Sequence, residues 1–508
     1  MDRRNFFKGG FQALSAAALL RGQAMNAPSH KLPETDNHYR SVKNYIEDIP
    51  VPEYRWASSR AYEAFRDMKV GVRVHWGIYS IIGKPNESWP YLTMPFAERD
   101  RYNQLYKSWN PVGFDADRWT SLFSEAGCRM FAFTTKHHEG FSMFNTRTRV
   151  RSRANWTAPG GPRTESCDLA YSIMETPFRR DVVKELCAAA HRHNLKIALY
   201  FSHPDWYDAD FRPYCYHPLQ VPSSNQLTGV RASSNQRQGE LSVTVADPTP
   251  EEVKRMMERH RAQLTELLTN YGRIDMLSLD MWLGPSVWPE MRRTLLHLRT
   301  LQTDVMLRAR GIGNYGDYYT PEGFVPGNKE NTDVPWMVIS PLGTSFSYDA
   351  EAKNYKGAAW IIRNVVDTVA KGGSFQIGVG PDVNGEFHPA AVSQLRDGGR
   401  WLKLNGQAIY ATRPRAGDLW REGEDIRYTR SKDSKMTYCF LLSWPGRSVT
   451  LTSLPNDPKV LVHMLGYPGA LRSRYDSAKG LVIEIPEALQ DPAKRPCEYA
   501  WTLRLTSA

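Results

Sequence analysis

"GRIDMLSLDMWLG", residues 272 to 284, decides how the chain is read. Its apolar run from Ile274 to Leu279 breaks off at an acid, Asp280, with an aromatic residue, Trp282, just beyond. A strand apolar on both faces belongs inside a barrel or a doubly wound sheet, where helices cover it. An acid at the end of such a strand is either a cap or a catalyst.

Working outward, similar short runs alternate with helical patterns. "KVGVRVHWG" (69–77) precedes "DADRWTSLFSEAG", in which Trp119, Leu122, Phe123 and Ala126 fall at helical spacing and Gly127 suits a stop. "RMFAFTTKHHEGF" (129–141) precedes the helix "RDVVKELCAAAHRHN", and "LKIALYFS" (195–202) is followed by a long polar loop and a helical run over 250–270. "DVMLRAR", "PWMVIS" and "GSFQIGVG" continue the series, with helices near 355–371 and 389–404. The count is seven strands, which predicts an α/β fold: an irregular, TIM-like (β/α)-barrel with one unit missing or distorted. An open doubly wound sheet is the alternative, weakened by the lack of a G-x-G-x-x-G turn. From about 410 onward, short strands separated by turn residues predict a C-terminal antiparallel β-sandwich. The expected boundaries are an export signal over 1–27, an approach segment over 28–55, the barrel over 56–409 and the sandwich over 410–508.

The totals agree with this plan. A chain of 508 residues, 41% hydrophobic, supports one large core and a smaller module. The formal charge of +11 is spread along the chain, without the block of like charges that marks a nucleic-acid arm. "MDRRNFFKGGFQALSAAALLRGQAMNA" has a basic start, a short apolar stretch and small residues near its end. It reads as an export signal, of the twin-arginine or the general secretory type, which places the mature protein in the periplasm or outside the cell. No later segment reaches the run of about 18 apolar residues that a membrane span needs. The six cysteines are widely separated, and Cys128 and Cys187, in helical stretches, are expected to be buried small residues.

Barrel enzymes act at the C-terminal ends of their strands. Here those ends carry His75-Trp76, His137-His138, Tyr200, Asp280 and Arg310 in turn. Polar and aromatic groups recurring in this way suit a polyhydroxylated ligand. The H-x-H of His191-Arg192-His193 stands at a helix end with no further ligand pattern, no H-E-x-x-H or G-x-S-x-G points to a metal or to a serine nucleophile, and no cofactor is expected. Carboxylates remain, and glycosidic hydrolysis typically uses two. Asp280 supplies one; Glu87, Glu139 and Glu322, each in a loop after a strand, are the candidates for the other.

At this point the assembled residues resemble glycoside hydrolase family 29, the α-L-fucosidases. "VHWGIYSIIG" resembles that family's I-H-W-G-x-Y-S-V, and "FDADRWTSLFSEAGCRMFAFTTKHHEGFSMF" resembles its W-x-x-L through K-H-H-D-G-F stretch. "YGRIDMLSLD" resembles the nucleophile strand, and "VAKGGSFQIGVGP" and "NGQAIYATRP" resemble the later family motifs, so the likeness runs from about residue 60 to 414. The resemblance implies a retaining enzyme that removes terminal α-L-fucosyl residues from oligosaccharides or glycoconjugates. It implies Asp280 as nucleophile and Glu322, twelve residues after Arg310, as acid/base, with Glu87 as the alternative acid. It also implies that His75, His137, His138, Tyr200 and Arg310 bind the sugar while Trp76 and Phe346 pack against its ring and methyl group. Three departures bear on specificity: Ser278 where a Trp is common, K-H-H-E for K-H-H-D, and Trp336-Met337 for a Trp-Glu pair. They leave open whether Trp282 takes over a pocket wall, and whether a related sugar such as α-L-galactose is preferred. A carbohydrate-binding protein without turnover is the reading of a different class.

Overall fold

The structure is a computed structural model and describes residues 30–212, 214–219, 245–328 and 332–506. The export segment expected over 1–27 lies outside the described residues. After α1 (Asn37–Val42) and α2 (Ser59–Met68), the chain enters a curled parallel sheet. Its strands are β1 (Val70–Val74), β2 (Met130–Lys136), β5 (Lys196–Ser202), β6 (Met276–Asp280), β7 (Met306–Leu307), β8 (Met337–Pro341) and β9 (Ser374–Val379). They run in the order β7-β6-β5-β2-β1-β9-β8, all seven parallel. These are the seven strands read from the sequence.

Isolated parallel bridges pair Arg308 with Tyr318, Tyr319 with Trp336 and Glu322 with Ile339. The segment from Tyr318 to Glu322 therefore spans the gap between the two sheet edges as an irregular eighth element. That is the distorted unit the sequence predicted, and it delivers Glu322 beside the other strand ends. β1, β2 and β6 are buried along their whole length, because barrel side chains fill one face and helices cover the other.

The covering helices are α3 (Phe96–Tyr102), α4 (Ala116–Glu125), α5 (Val182–Arg192), α6 (Pro250–Thr269), α7 (Trp288–Leu301), α8 (Ala358–Ala370) and α9 (Pro389–Asn405). Their ends follow local chemistry. Asp115 caps α4 by accepting from the Arg118 N–H, and Gly127 turns the chain out of it at φ +75°. At α6 the Thr249 hydroxyl and the Glu252 carboxylate form a reciprocal capping box with Pro250 in the first turn. Cys128 and Cys187 are buried, and all six cysteines are free.

Three features were not read from the sequence. β3 (Val150–Asn155) and β4 (Arg163–Leu169) form an antiparallel hairpin outside the barrel, whose charged residues hide its alternation. Residues 30–57 are docked on the barrel with Leu32, Tyr39, Val42, Ile46 and Tyr54 buried. Within the loop after β5, Asp205, Trp206, Tyr207 and Asp208 are fully packed despite their polarity.

The C-terminal part builds two antiparallel sheets. β10 (Arg421–Glu422), β11 (Ile426–Arg430), β12 (Met436–Leu441), β14 (Leu461–Met464) and β17 (Trp501–Thr506) form one, and β13 (Ser448–Leu451), β15 (Ser473–Asp476) and β16 (Gly480–Glu484) the other. They enclose a second core that includes Tyr428, Leu441, Leu451, Val462, Ile483 and Leu503. Trp401 Nε1 donates to the Ala500 carbonyl at 2.8 Å and Arg427 Nε to Asp367 Oδ1 at 2.6 Å, joining this module to α9 and α8.

Candidate active site

β6 ends on Asp280, and the next residue, Met281, is left-handed at φ +62°. A left-handed backbone is costly outside glycine and persists only where the surroundings hold it. Gly311 packs directly against this turn: a Cβ at position 311 would lie 2.1 Å from the Met281 carbonyl oxygen, so only glycine fits there. The kink stops the strand and fixes the carboxylate. Asp280 Oδ1 accepts from Arg310 Nη1 at 3.0 Å and from the Met281 N–H at 3.1 Å, and Oδ2 accepts from the Tyr200 hydroxyl at 2.8 Å. Burial alone would raise its pKa, but Arg308 and Arg310 outweigh burial and hold Asp280 well below the usual carboxylate range. It is an anion at neutral pH.

Arg310 also donates through Nη2 to Glu322 Oε2, so one guanidinium spans both carboxylates. Arg308 stands 3.8 Å from each of them. The Glu322 side chain keeps 41% of its surface exposed, whereas Arg310 keeps only 5%. Burial opposes its ionisation, Arg310 favours it, and the balance lowers the Glu322 pKa. The charge of Asp280 acts the other way and raises it.

β2 ends at Lys136, so His137 and His138 lie past the strand and escape its alternation. Their rings converge, with centroids 4.1 Å apart. Ser202 Oγ donates to the Pro204 carbonyl at 2.9 Å and sits 2.7 Å from His138 Nδ1. The ring must then donate from Nδ1, which leaves Nε2 as a bare acceptor. His137 Nδ1 lies 2.5 Å from Ser88 Oγ and 3.6 Å from Glu139 Oε2. The His75 ring lies 5.1 Å from Phe346, 5.5 Å from Tyr200 and 5.8 Å from His137, and its Nδ1 has no partner among the described residues. Burial drives His137 down to about 3 and His75 and His138 well below their ordinary value, so all three are neutral hydrogen-bonding groups.

Glu87 approaches from the loop after β1. Asn86 and Glu87 are both left-handed, at φ +72° and +49°. Two serines lock this turn: the Asn86 N–H donates to Ser345 Oγ at 2.8 Å and the Glu87 N–H to Ser347 Oγ at 3.1 Å. Glu87 Oε1 in return accepts from Ser345 Oγ and the Ser347 N–H, each at 3.0 Å. Burial dominates and pushes Glu87 up to about 7.

Two expectations need correction. Trp76 does not reach the pocket: its side chain is fully buried on the helix side, 5.2 Å from Trp109 and 5.3 Å from Trp119, with Nε1 donating to the Asp382 carbonyl at 2.8 Å. His75 and Trp76 are adjacent in extended chain and point to opposite sides, so only His75 faces inward. Ser278 is no pocket wall either. It lies inside the barrel, where its Oγ accepts from Arg73 Nη1 at 3.1 Å and Arg308 Nη1 at 3.4 Å. Trp282 is 5% exposed, with an indole N–H that has no partner among the described residues. Glu139 is buried behind His137 and its pKa is raised by burial to about 8.

The sequence held signals for residues that its reading passed over. Arg73 interrupts an otherwise apolar strand, and Arg308 precedes Arg310 by two positions, the spacing that puts both on one face. Arg73 lies over the Tyr200 ring at 5.0 Å. Ser88, Ser345 and Ser347 carry no local signal.

The α-L-fucosidase family model matches residues 50–407, and the model of the family's C-terminal domain matches residues 421–506. The chain belongs to the α-L-fucosidase family. Human tissue α-L-fucosidase is 27% identical over 483 residues, covering 90% of this chain and 91% of the human protein. Among solved structures, α-L-fucosidase isoenzyme 1 from Paenibacillus thiaminolyticus superposes with a TM-score of 0.70 at 23% identity, covering 88% of this chain and 98% of that one. A family 29 α-L-fucosidase from Bacteroides thetaiotaomicron, trapped as a covalent intermediate with 2-fluoro-fucosyl fluoride, superposes with a TM-score of 0.69 at 20% identity, covering 90% and 99%. The barrel with its C-terminal sheets is thus the architecture of known α-L-fucosidases.

Proposed function

We propose that this chain is a retaining exo-α-L-fucosidase with Asp280 as nucleophile and Glu322 as acid/base. The observation that carries the reading is the Arg310 bridge, which draws the two carboxylates together. Retention requires carboxyl groups about 5 to 5.5 Å apart, close enough for one to attack the anomeric carbon while the other serves the leaving oxygen. Asp280, anionic and rigid at its strand end, attacks and forms a glycosyl ester. Glu322, open on one side, protonates the departing oxygen and then takes a proton from the incoming water.

Arg310 outweighs burial and keeps the Glu322 pKa low on balance, and the charge of Asp280 is the part that changes during the cycle. Before attack, the anion at Asp280 raises the proton affinity of Glu322. Glu322 gives its proton to the leaving oxygen, and ester formation removes the Asp280 anion and so lowers the Glu322 pKa, leaving a carboxylate ready to take a proton from water. Neutral His75, His137 and His138 bind sugar hydroxyls, and Phe346 offers an apolar face to the C5 methyl group. The covalent intermediate of the Bacteroides enzyme is in keeping with this route. Glu87, with its pKa at about 7, is the second reading for the acid. We further infer export of the mature enzyme from the basic and apolar character of residues 1–27.

The test is incubation with a nitrophenyl α-L-fucoside and a panel of defined fucosylated glycans, with released sugars identified. Release of L-fucose supports the reading. Binding without release assigns a lectin-like role, and faster release from α-L-galactosides reassigns the sugar.

A further inference from the structure

Inside the barrel, alternate residues of each strand share one face and stack in layers. Met276 and Met306 belong to an apolar cluster with Met130 and Met337. Two residues further along come Ser278 and Arg308, and two further again Asp280 and Arg310. On β1 the inward face carries Arg73 and, two residues on, His75. A polar layer therefore lies between the apolar cluster and the groups that face the sugar. Arg73 Nη1 donates to Ser278 Oγ at 3.1 Å and reaches Gln376 Oε1 at 3.5 Å. Arg308 Nη1 donates to the same Ser278 oxygen at 3.4 Å, and its Nε to Thr320 Oγ1 at 2.8 Å.

Arg73 is the odd member of this layer. Arg308 and Arg310 face Asp280 and Glu322, whereas Arg73, 2% exposed, makes no ion pair among the described residues. A guanidinium shut away from water without an anion is costly unless other groups hold it. Besides Ser278 and Gln376, the face of Tyr200 holds it: the guanidinium carbon lies 5.0 Å from the ring centroid. A desolvated cation over an aromatic face is a strong contact, and it fixes the position of both partners.

Tyr200 and Ser278 are register partners across β5 and β6, so Arg73 touches two neighbours in one layer. Both lead to the nucleophile. The Tyr200 hydroxyl donates to Asp280 Oδ2 at 2.8 Å, and Arg308 stands 3.8 Å from Asp280 Oδ1. Burial, and then the anion at Asp280, raise the Tyr200 pKa well above its ordinary value, so the phenol keeps its proton and stays a donor. The serine at 278, a departure from the family's common Trp, gives the two guanidiniums one small acceptor to share.

We propose that Arg73 is a positioning residue for the reaction: by gripping the Tyr200 ring and sharing Ser278 with Arg308, it fixes the hydroxyl that orients Asp280 for attack. It touches neither sugar nor nucleophile and acts through Tyr200.

The inference rests on the fucosidase reading above. The experiment follows inactivation of the full chain by 2-fluoro-fucosyl fluoride, which reads the attack by Asp280. The proteins are wild type, Arg73→Met, Arg73→Lys, Tyr200→Phe and the double variant Arg73→Met/Tyr200→Phe. Losing a buried cation–ring contact should lower the limiting inactivation rate about tenfold in Arg73→Met, while the reagent concentration giving half that rate stays within about threefold. Arg73→Lys keeps a cation over the ring and should recover part of the loss. Because Arg73 acts through the hydroxyl, Arg73→Met should change the rate by less than about threefold once Tyr200 is Phe. An unchanged limiting rate in Arg73→Met, or the same loss with and without the Tyr200 hydroxyl, would overturn the proposal. Thermal melting shows that folded proteins are being compared. If Arg73→Met does not fold, Ser278→Ala, which keeps the cation and removes its acceptor, takes its place in the cycle: coupling to Tyr200→Phe is expected, and additive effects would overturn the proposal. A wild type that resists inactivation and releases no fucose from any fucoside would instead refute the fucosidase reading itself.

Discussion

Glu87→Gln isolates the chemistry of a single buried carboxyl. In the native protein its pKa stands at about 7 against 4.5 for an unburied glutamate, a difference of about 2.5 units. At 1.36 kcal/mol per unit that is about 3 kcal/mol, which partial exposure to solvent trims to about 2 kcal/mol. The sign follows from proton counting. Between pH 4.5 and about 7 the folded state holds this proton while the unfolded chain has released it, so stability falls as pH rises through that window. Glutamine stays neutral, and its Oε1 still accepts from Ser345 Oγ and the Ser347 N–H. The variant should therefore exceed wild type by about 2 kcal/mol at pH 8, with about 1 kcal/mol of that gap opening between pH 5 and pH 8. Urea unfolding of both proteins across that range measures the difference directly. Parallel curves, with the same gap at pH 5 and pH 8, would refute the assignment of a buried, protonated Glu87.

Glu322→Ala should lower turnover of poorly activated fucosides by about 10² to 10⁴, with azide restoring part of the rate and yielding β-fucosyl azide. Rescue in Glu87→Ala and none in Glu322→Ala would transfer the acid/base role. Trp76→Ala should cost about 3 to 5 kcal/mol of stability as a core truncation while KM for an aryl fucoside in the folded protein stays within about threefold. A large rise in KM without loss of stability would return Trp76 to the pocket. Tyr200→Phe removes a donor from the nucleophile, a hydrogen bond to a charged group worth about 1.5 to 3 kcal/mol, and should move the acid limb of the kcat/KM profile to higher pH. An unmoved limb would mean that Tyr200 does not tune Asp280.

The barrel was legible because its strands announce themselves. Runs such as Met276–Asp280 are buried on both faces, and most are followed by a helix before the next strand of the sheet. The irregular eighth element was legible only as a missing or distorted unit, and its residues could not be named, since Tyr318 to Glu322 pairs through isolated bridges rather than a ladder. Within the site, strand-end residues such as Asp280, Arg310 and His137 could be named because topology alone brings strand ends together. Trp76 was misplaced because a quoted motif does not say which of two neighbours faces inward. Ser345 and Ser347 escaped for a third reason: both reach Glu87 from a distant loop, by contacts that no local pattern encodes.

The central claim is that Asp280 becomes covalently bound to the sugar. The most direct measurement is to incubate the enzyme with 2-fluoro-fucosyl fluoride, digest it and locate the label by mass spectrometry, with Asp280→Asn as the control. The account predicts one 2-fluoro-fucosyl ester, on the peptide containing Asp280, and no label in the variant. A label on another carboxylate, or equal labelling of Asp280→Asn, would contradict it.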